Sequence, residues 1–279
     1  MKRNFRILCM LLCLCLASTV GSAQQLATNE ELYADNASNV DISAKTGGVW
    51  WGEIDGIDVD TAVEKYDLDV KIPFVELGYK LRHYEWRNSA KLVPTGDPWG
   101  DLHKLSFDLV DERILYEEQW GYFARAGVAS NFQREMGNSF SYKGELGTLY
   151  QYDENLTILA GAYYQWYETD YWVIPTGSIR YRGNADEGLS IVVGLPESFV
   201  GYNFDNCVGL KLGWTYEKEV YRLGHRNEYN PRGFIETWDQ IAFLETSYKI
   251  HDNAKLIGGV TYNFDRDFKK FDEGGGRDY

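Results

Sequence analysis

One element recurs three times, and it narrows the possible folds more than any other feature of the chain. It reads YQYDENLTILAGAYY from Tyr150, YNFDNCVGLKLGWTY from Tyr202 and YKIHDNAKLIGGVTYNF from Tyr248. In each copy an aromatic-rich alternation runs into an Asp/Asn turn, then resumes through a glycine to a second aromatic. Alternation sends successive side chains to opposite faces of a strand, and Asp and Asn close tight turns by bonding their own backbone. Each copy is therefore an antiparallel hairpin with an aromatic residue at either end of an apolar band. Such hairpins are the building unit of a transmembrane β-barrel.

The beginning of the chain agrees with export. Lys2, Arg3 and Arg6 precede an apolar run from Ile7 to Ala17, and Val20-Gly21-Ser22-Ala23 supplies small residues for cleavage. The apolar run is too short for a spanning helix, and no later segment reaches ~18 uninterrupted apolar residues. Cysteines Cys9, Cys13 and Cys15 belong to this leader, and Cys15 lacks the small preceding residue of a lipoprotein site. Cleavage after Ala23 leaves Cys207 alone, so an internal disulfide scaffold is excluded.

The chain has 28 Lys and Arg against 42 Asp and Glu; without the three leader cations the balance is 25 to 42, a net charge of −17. That balance opposes phosphate-backbone binding, so nucleic acid is not an expected partner. It equally disfavours peripheral attachment to anionic lipid. Its 21 Tyr and 9 Trp residues fit interfacial girdles at strand ends.

After a polar segment at 24–43, alternation dominates and no helical period persists. In Val208–Tyr216, Val208, Leu210, Leu212, Trp214 and Tyr216 share one face, opposed by Gly209, Lys211, Gly213 and Thr215. Leu156–Trp166 and Ala242–Ile250 alternate likewise. Runs of 9 to 13 residues match a tilted membrane strand and exceed the ~5–6 of globular sheets.

Twelve strands are expected, at about 44–53, 66–86, 102–114, 119–132, 139–152, 155–167, 173–182, 188–194, 198–204, 207–219, 235–249 and 255–268. Without the short pair around Pro196 there would be ten. In this count the tight Asp/Asn turns follow odd strands and the long connections 88–101 and 220–234 follow even ones. That parity conflicts with short periplasmic turns and both barrel ends in the periplasm. The expected layout is a signal peptide at 1–23, a flexible segment at 24–43, a barrel at 44–268 and a tail at 269–279.

The C-terminal half also resembles a known family. The residues that carry this are Val173-Ile174-Pro175, Ile179-x-Tyr181, Leu195-Pro196, Val200-x-Tyr202, Tyr221-Arg222-Leu223, Gly233-Phe234-Ile235-Glu236, Tyr248-x-Ile250-x-Asp252-Asn253 and Tyr262-x-Phe264-Asp265-Arg266-Asp267-Phe268. In this order, over about 172–272, they resemble an uncharacterised family of bacterial outer-membrane β-barrels, a domain of unknown function. The resemblance implies fold and compartment and brings no catalytic residues. Gly259-x-x-Tyr262-x-Phe264 similarly resembles the signal read by the barrel-assembly machinery, although fifteen residues follow it.

Candidate chemistry is sparse. Lipid-acting barrel enzymes use a Ser/His/acid set, and here His83 and His103 flank one connection, with Ser89 or Ser106 as conceivable nucleophiles. No spacing or G-x-S-x-G elbow selects them. His225 and His251 fall in polar turns. The carboxylates Glu53, Asp55, Asp58 and Asp60 could bridge divalent ions to lipopolysaccharide, but a solvated acidic loop explains them without a metal.

The polar faces of the strands are more informative. Arg125, Lys143, Glu145, Arg180, Lys211, Glu217 and Glu245 should face the lumen, where they either pair and plug the interior or line a narrow pore. The sequence thus predicts an all-β antiparallel transmembrane barrel of 10–12 strands, not an enzyme and without cofactor or metal. Its expected role is structural, or a narrow channel for small solutes, among outer-membrane lipids and lipopolysaccharide. The alternatives are a lipid-acting barrel enzyme and a soluble exported β-sheet binding protein. Mass-spectrometric mapping of the N-terminus in the envelope fraction should find Gln24; a species retaining Lys2 would exclude cleavage after Ala23.

Overall fold

The computed structural model describes residues 41–54, 57–94, 96–116, 119–183, 187–205, 207–251 and 254–273. The expected leader, most of the 24–43 segment and the last residues of the tail lie outside that set. Alternation dictates strands, and the described residues form a closed all-β barrel. Its strands are β1 (Asp41–Ile54), β2 (Ile57–Ile72), β3 (Val75–Arg87), β4 (Asp101–Tyr116), β5 (Trp120–Phe132), β6 (Phe140–Gln151), β7 (Leu156–Trp166), β8 (Tyr171–Arg182), β9 (Gly188–Leu195), β10 (Glu197–Asn203), β11 (Val208–Arg222), β12 (Phe234–His251) and β13 (Ala254–Phe271). Sequential neighbours pair antiparallel, and β1 meets β13 in parallel through Val49↔Thr261.

Thirteen strands correct the expected ten to twelve. The run 66–86 holds a reversal at Pro73-Phe74, where Phe74 adopts φ 67, so it belongs to two strands. Pro73 lacks a ladder donor, which suits a turn better than a strand interior. The added strand also reverses the parity. The Asp/Asn turns now follow even strands and lie at the mouth where β1 begins, whereas 88–100 and 223–233 lie at the other mouth. The recurrent turn closes as its residues require. Asp153 Oδ1 accepts from the backbone N–H of Asn155 and Leu156, each at 2.8 Å, and Asp205 Oδ1 accepts from Cys207 and Val208, each at 2.7 Å. The third copy's turn, 252–253, lies outside the described residues.

The outer face carries the apolar half of the alternation. Leu109, Leu146, Val173, Val193, Leu212 and Val260 are all at least half exposed there. Aromatic pairs border this band at both mouths. Trp120–Tyr150 and Tyr202–Phe204 (ring centroids 4.6 and 5.2 Å apart) lie at the short-turn mouth, and Tyr142–Trp166 and Tyr164–Tyr171 (5.5 and 6.5 Å) at the other.

Inside, the Phe123 ring lies over Gly147 and Gly161, which have no Cβ to obstruct it. A Cβ on Gly161 would stand 2.8 Å from Phe123 Cζ and 2.5 Å from the Leu146 carbonyl oxygen. Gly161→Ala should therefore destabilise the refolded barrel by about 1–3 kcal/mol through overpacking, read as a lower urea midpoint. An unchanged midpoint would show that the ring has room to move aside.

Candidate functional site

The barrel interior becomes distinctive where one wall stops early. β9 and β10 are short, joined by Pro196 alone, and their pairing with the flanking strands ends at Gly177↔Leu195 and Glu197↔Thr215. Beyond Tyr216, whose N–H still donates to Pro196 O at 3.0 Å, β11 keeps β12 on one edge and has no strand of the wall on the other among the described residues. Open backbone edges demand hydrogen bonds, and β11 finds them across the lumen. Arg222 lies beside Phe132 of β5 in parallel, Gln133 N donates to Arg222 O (2.9 Å), and Asn131 Nδ2 donates to Val220 O (2.9 Å). The contact closes a smaller seven-strand ring, β5 to β11, within the thirteen-strand circuit.

Both faces of the crossing segment are consequently buried. Val220 and Tyr221 are consecutive, point opposite ways, and are 4% and 0% exposed; Phe234 and Ile235 in β12 repeat the pattern. On one side Tyr221, Leu223 and Ile235 join Val63, Tyr84, Trp99 and Leu102 in a tight cluster. Trp99 enters it from the 88–100 connection: its ring meets Trp86 edge-on at 4.6 Å, and its carbonyl accepts from Trp86 Nε1 at 2.7 Å. On the other side Val220 and Phe234 pack with Tyr167 and Phe271. The 223–233 connection is tied down by buried asparagines. Asn227 Nδ2 donates to Pro98 O (2.5 Å), and Asn230 Nδ2 donates to Phe271 O (2.6 Å). The long-loop mouth is thus sealed by protein.

Beneath the seal lies a cavity of about 640 Å³. All seven residues expected in the lumen, Arg125, Lys143, Glu145, Arg180, Lys211, Glu217 and Glu245, line it. The structure adds partners. Lys143 pairs with Asp108 at 2.8 Å, Arg125 with Glu76 at 3.2 Å, Arg180 with Glu112 at 3.9 Å, and Lys211 with Glu197. A layer directly under the crossing joins Lys65 to Glu217 (2.9 Å), Lys104 to Glu219 (2.9 Å) and Arg82 to Asp67. Lys65, Asp67 and Lys80 fall in or beside the segment that sequence reasoning merged into one strand, which concealed their shared face. The strict i, i+2 recurrence of charge through Lys65, Asp67, Asp69 and Lys71 was the available signal.

Solvent access falls along this interior. Side chains near the short-turn mouth, such as Arg125 and Lys71, keep 34% exposure, whereas Arg82 at the layer keeps 3%. Leu159, Ile174, Val192 and Trp172 add an apolar part to the lining, with Lys218 Nζ 5.1 Å from the Trp172 ring centroid. The cavity therefore has a mixed lining and a closed end.

The histidine–serine combinations are not assembled. His103 contacts the Tyr79 hydroxyl at 2.9 Å and lies on the outer face of β4, while Ser106 lies on its inner face. Ser89 Oγ donates to Gly96 O at 3.1 Å. His83 pairs with Asp101 and His225 with Glu135. The acidic run is described only in part: Asp55 lies outside the described residues, as do the side chains of Glu53 and Asp58; the His251 side chain lies outside them too.

Removing one partner from the buried layer should be costly, because the other charge is left unpaired. Lys104→Met is expected to destabilise the barrel by about 3–5 kcal/mol, and the added change Glu219→Leu to recover most of the loss. Urea midpoints of the three variants test this, and additive losses would show that the pair is not a unit. No family model matches the chain, and neither does any curated protein or solved structure.

Proposed function

We propose that this chain is a bacterial outer-membrane β-barrel, exported by its cleaved leader, that acts as a narrow channel closed at one mouth rather than as an open pore. The membrane assignment is supported by the apolar outer face, by the aromatic rows bordering it at both mouths, and by the many charged pairs gathered in the interior. The ordered C-terminal motifs that resemble an uncharacterised outer-membrane family point the same way. Tight turns at the mouth where β1 begins and longer connections at the other follow the periplasmic and external pattern of such barrels.

The observation that carries the channel reading is the β5–β11 contact. A strand buried on both faces and crossing the lumen is a closure, and the charge-lined cavity beneath it is the half of a conduit that closure would gate. Lipids and lipopolysaccharide are the surroundings proposed for the outer face, and small solutes the cargo.

Single-channel recording in planar bilayers tests the assignment. The wild type should show rare openings of small conductance. Trp99→Ala, which removes the ring wedged among Tyr84, Trp86 and Phe268, should raise the open fraction at least tenfold while the barrel still resists heat unfolding in detergent. Silence from both proteins, correctly inserted, would end the channel reading and leave a structural barrel.

A further inference from the structure

We propose that the cavity holds a binding site for a neutral sugar ring, a pyranose, which stacks on Phe123 and hydrogen-bonds to the charged side chains around it. The proposal rests on the outer-membrane barrel reading above and names the class of small solute that its interior suits.

The platform comes from two glycines. Phe123 of β5 is register-paired with Gly147 of β6, which is paired in turn with Gly161 of β7. A Cβ on Gly147 would lie 2.3 Å from Phe123 Cζ, and one on Gly161 2.8 Å from the same atom. The side chain therefore runs along the wall, across the neighbouring strand, and does not project into the lumen. Its other side lines the cavity. From there an aromatic strip climbs toward the closed end. Tyr163 lies two residues beyond Gly161 on the same face of β7, and Trp172 of β8 meets the Tyr163 ring edge-on at 5.9 Å. Aromatic rings are partly negative on their faces, and the axial C–H bonds of a pyranose form a partly positive apolar face of similar size.

The hydroxyl groups of such a ring need donors and acceptors together, and the register supplies both. Glu112 is paired with Phe123 across β4 and β5, and Arg125 is paired with Glu145 two residues further along. Arg180 Nη1 stands 3.9 Å from Glu112 Oε1, and Arg180 Nε has no hydrogen-bond partner among the described residues. Glu145 stands in electrostatic range of Glu112 and Arg180 and is joined to neither. Both Arg180 and Glu145 line the cavity with bonding capacity to spare. Charge balance favours a neutral ligand. Nine Lys and Arg and eight Asp and Glu form the lining; behind it stand Arg82 and Lys269 on one side, and Asp69, Asp108 and Glu236 on the other. With these the two signs are equal among the described residues, so an ion of either sign would enter without a counter-ion. A volume of about 640 Å³ falls within the range of ordinary small-molecule sites.

The test uses the full mature chain refolded in detergent micelles, with each protein checked first for resistance to heat unfolding. A wild type that fails this check would overturn the barrel reading itself. Saturation-transfer NMR is then titrated with methyl β-glucopyranoside, with the corresponding glucuronide, which carries a carboxylate, and with the amino-deoxy glycoside that carries an ammonium in the same place. The wild type should show saturable transfer to the neutral sugar, strongest at its axial C–H protons, and each charged analogue should bind at least tenfold more weakly. Phe123→Leu should weaken the neutral sugar about tenfold, and Glu145→Gln, which breaks no ion pair, about fivefold. Folded variants that bind as the wild type does would overturn the site, as would a charged analogue that equals the neutral one. Binding needs only the short-turn mouth, near which Lys71 and Arg125 keep 34% exposure. Silent bilayers would therefore end the channel reading while saturable transfer upholds the site, and a folded barrel without transfer would end the site alone.

Discussion

A strand that loses its neighbour must satisfy its backbone elsewhere, and the upper half of this barrel is arranged around that need. β10 stops at Glu197 while β11 continues to Arg222, so several residues of β11 have a free edge inside a sheet that is otherwise continuous. The nearest complementary edge is the end of β5, on the far side of the lumen. Once β11 turns inward, its hairpin with β12 follows, and two buried clusters condense on its faces. The 88–100 connection then contributes Trp99 to one of them.

The same displacement organises the charges. Glu217 and Glu219 would be wall residues if β11 stayed upright; carried across, they meet Lys65 and Lys104, which approach from β2 and β4. Buried pairs of this kind contribute little net stability over apolar substitutes, yet their geometry is demanding. They fix where the crossing strand can rest, as a register device more than as glue. The apolar residues of β7–β9 line the space that remains.

Much of this was written in the sequence, and the limits of that legibility are instructive. The recurrent Asp-turn hairpins were readable because their periodicity and their turn chemistry agree, and Asp153 and Asp205 close their turns through the side-chain oxygens that make Asp a turn former. The seven lumen residues could be placed because alternation assigns a face without any knowledge of neighbours. The number of strands could not, because Pro73-Phe74 interrupts a run whose charges alternate without pause on both sides. The seal could not either. Val220, Tyr221, Phe234 and Ile235 look like ordinary strand ends, and their burial on both faces depends on a shortfall at Pro196, distant from them in sequence. Non-local closure leaves no local pattern.

An odd number of strands has its own outcome. Closing the circuit sets β1 beside β13 in parallel, joined by Val49↔Thr261 and by Thr261 Oγ1 donating to the carbonyl of Gly48, residues 213 apart in sequence. Apart from the β5–β11 contact across the lumen, every other junction is an antiparallel ladder made of consecutive elements, which can zip from its turn. The parallel seam has no turn to start from, and its loop-closure entropy is the largest in the molecule. It is the natural last event of folding and the first line along which the cylinder would part. The route by which such a protein enters a bilayer, or breathes once inside it, is thus concentrated in a single narrow join.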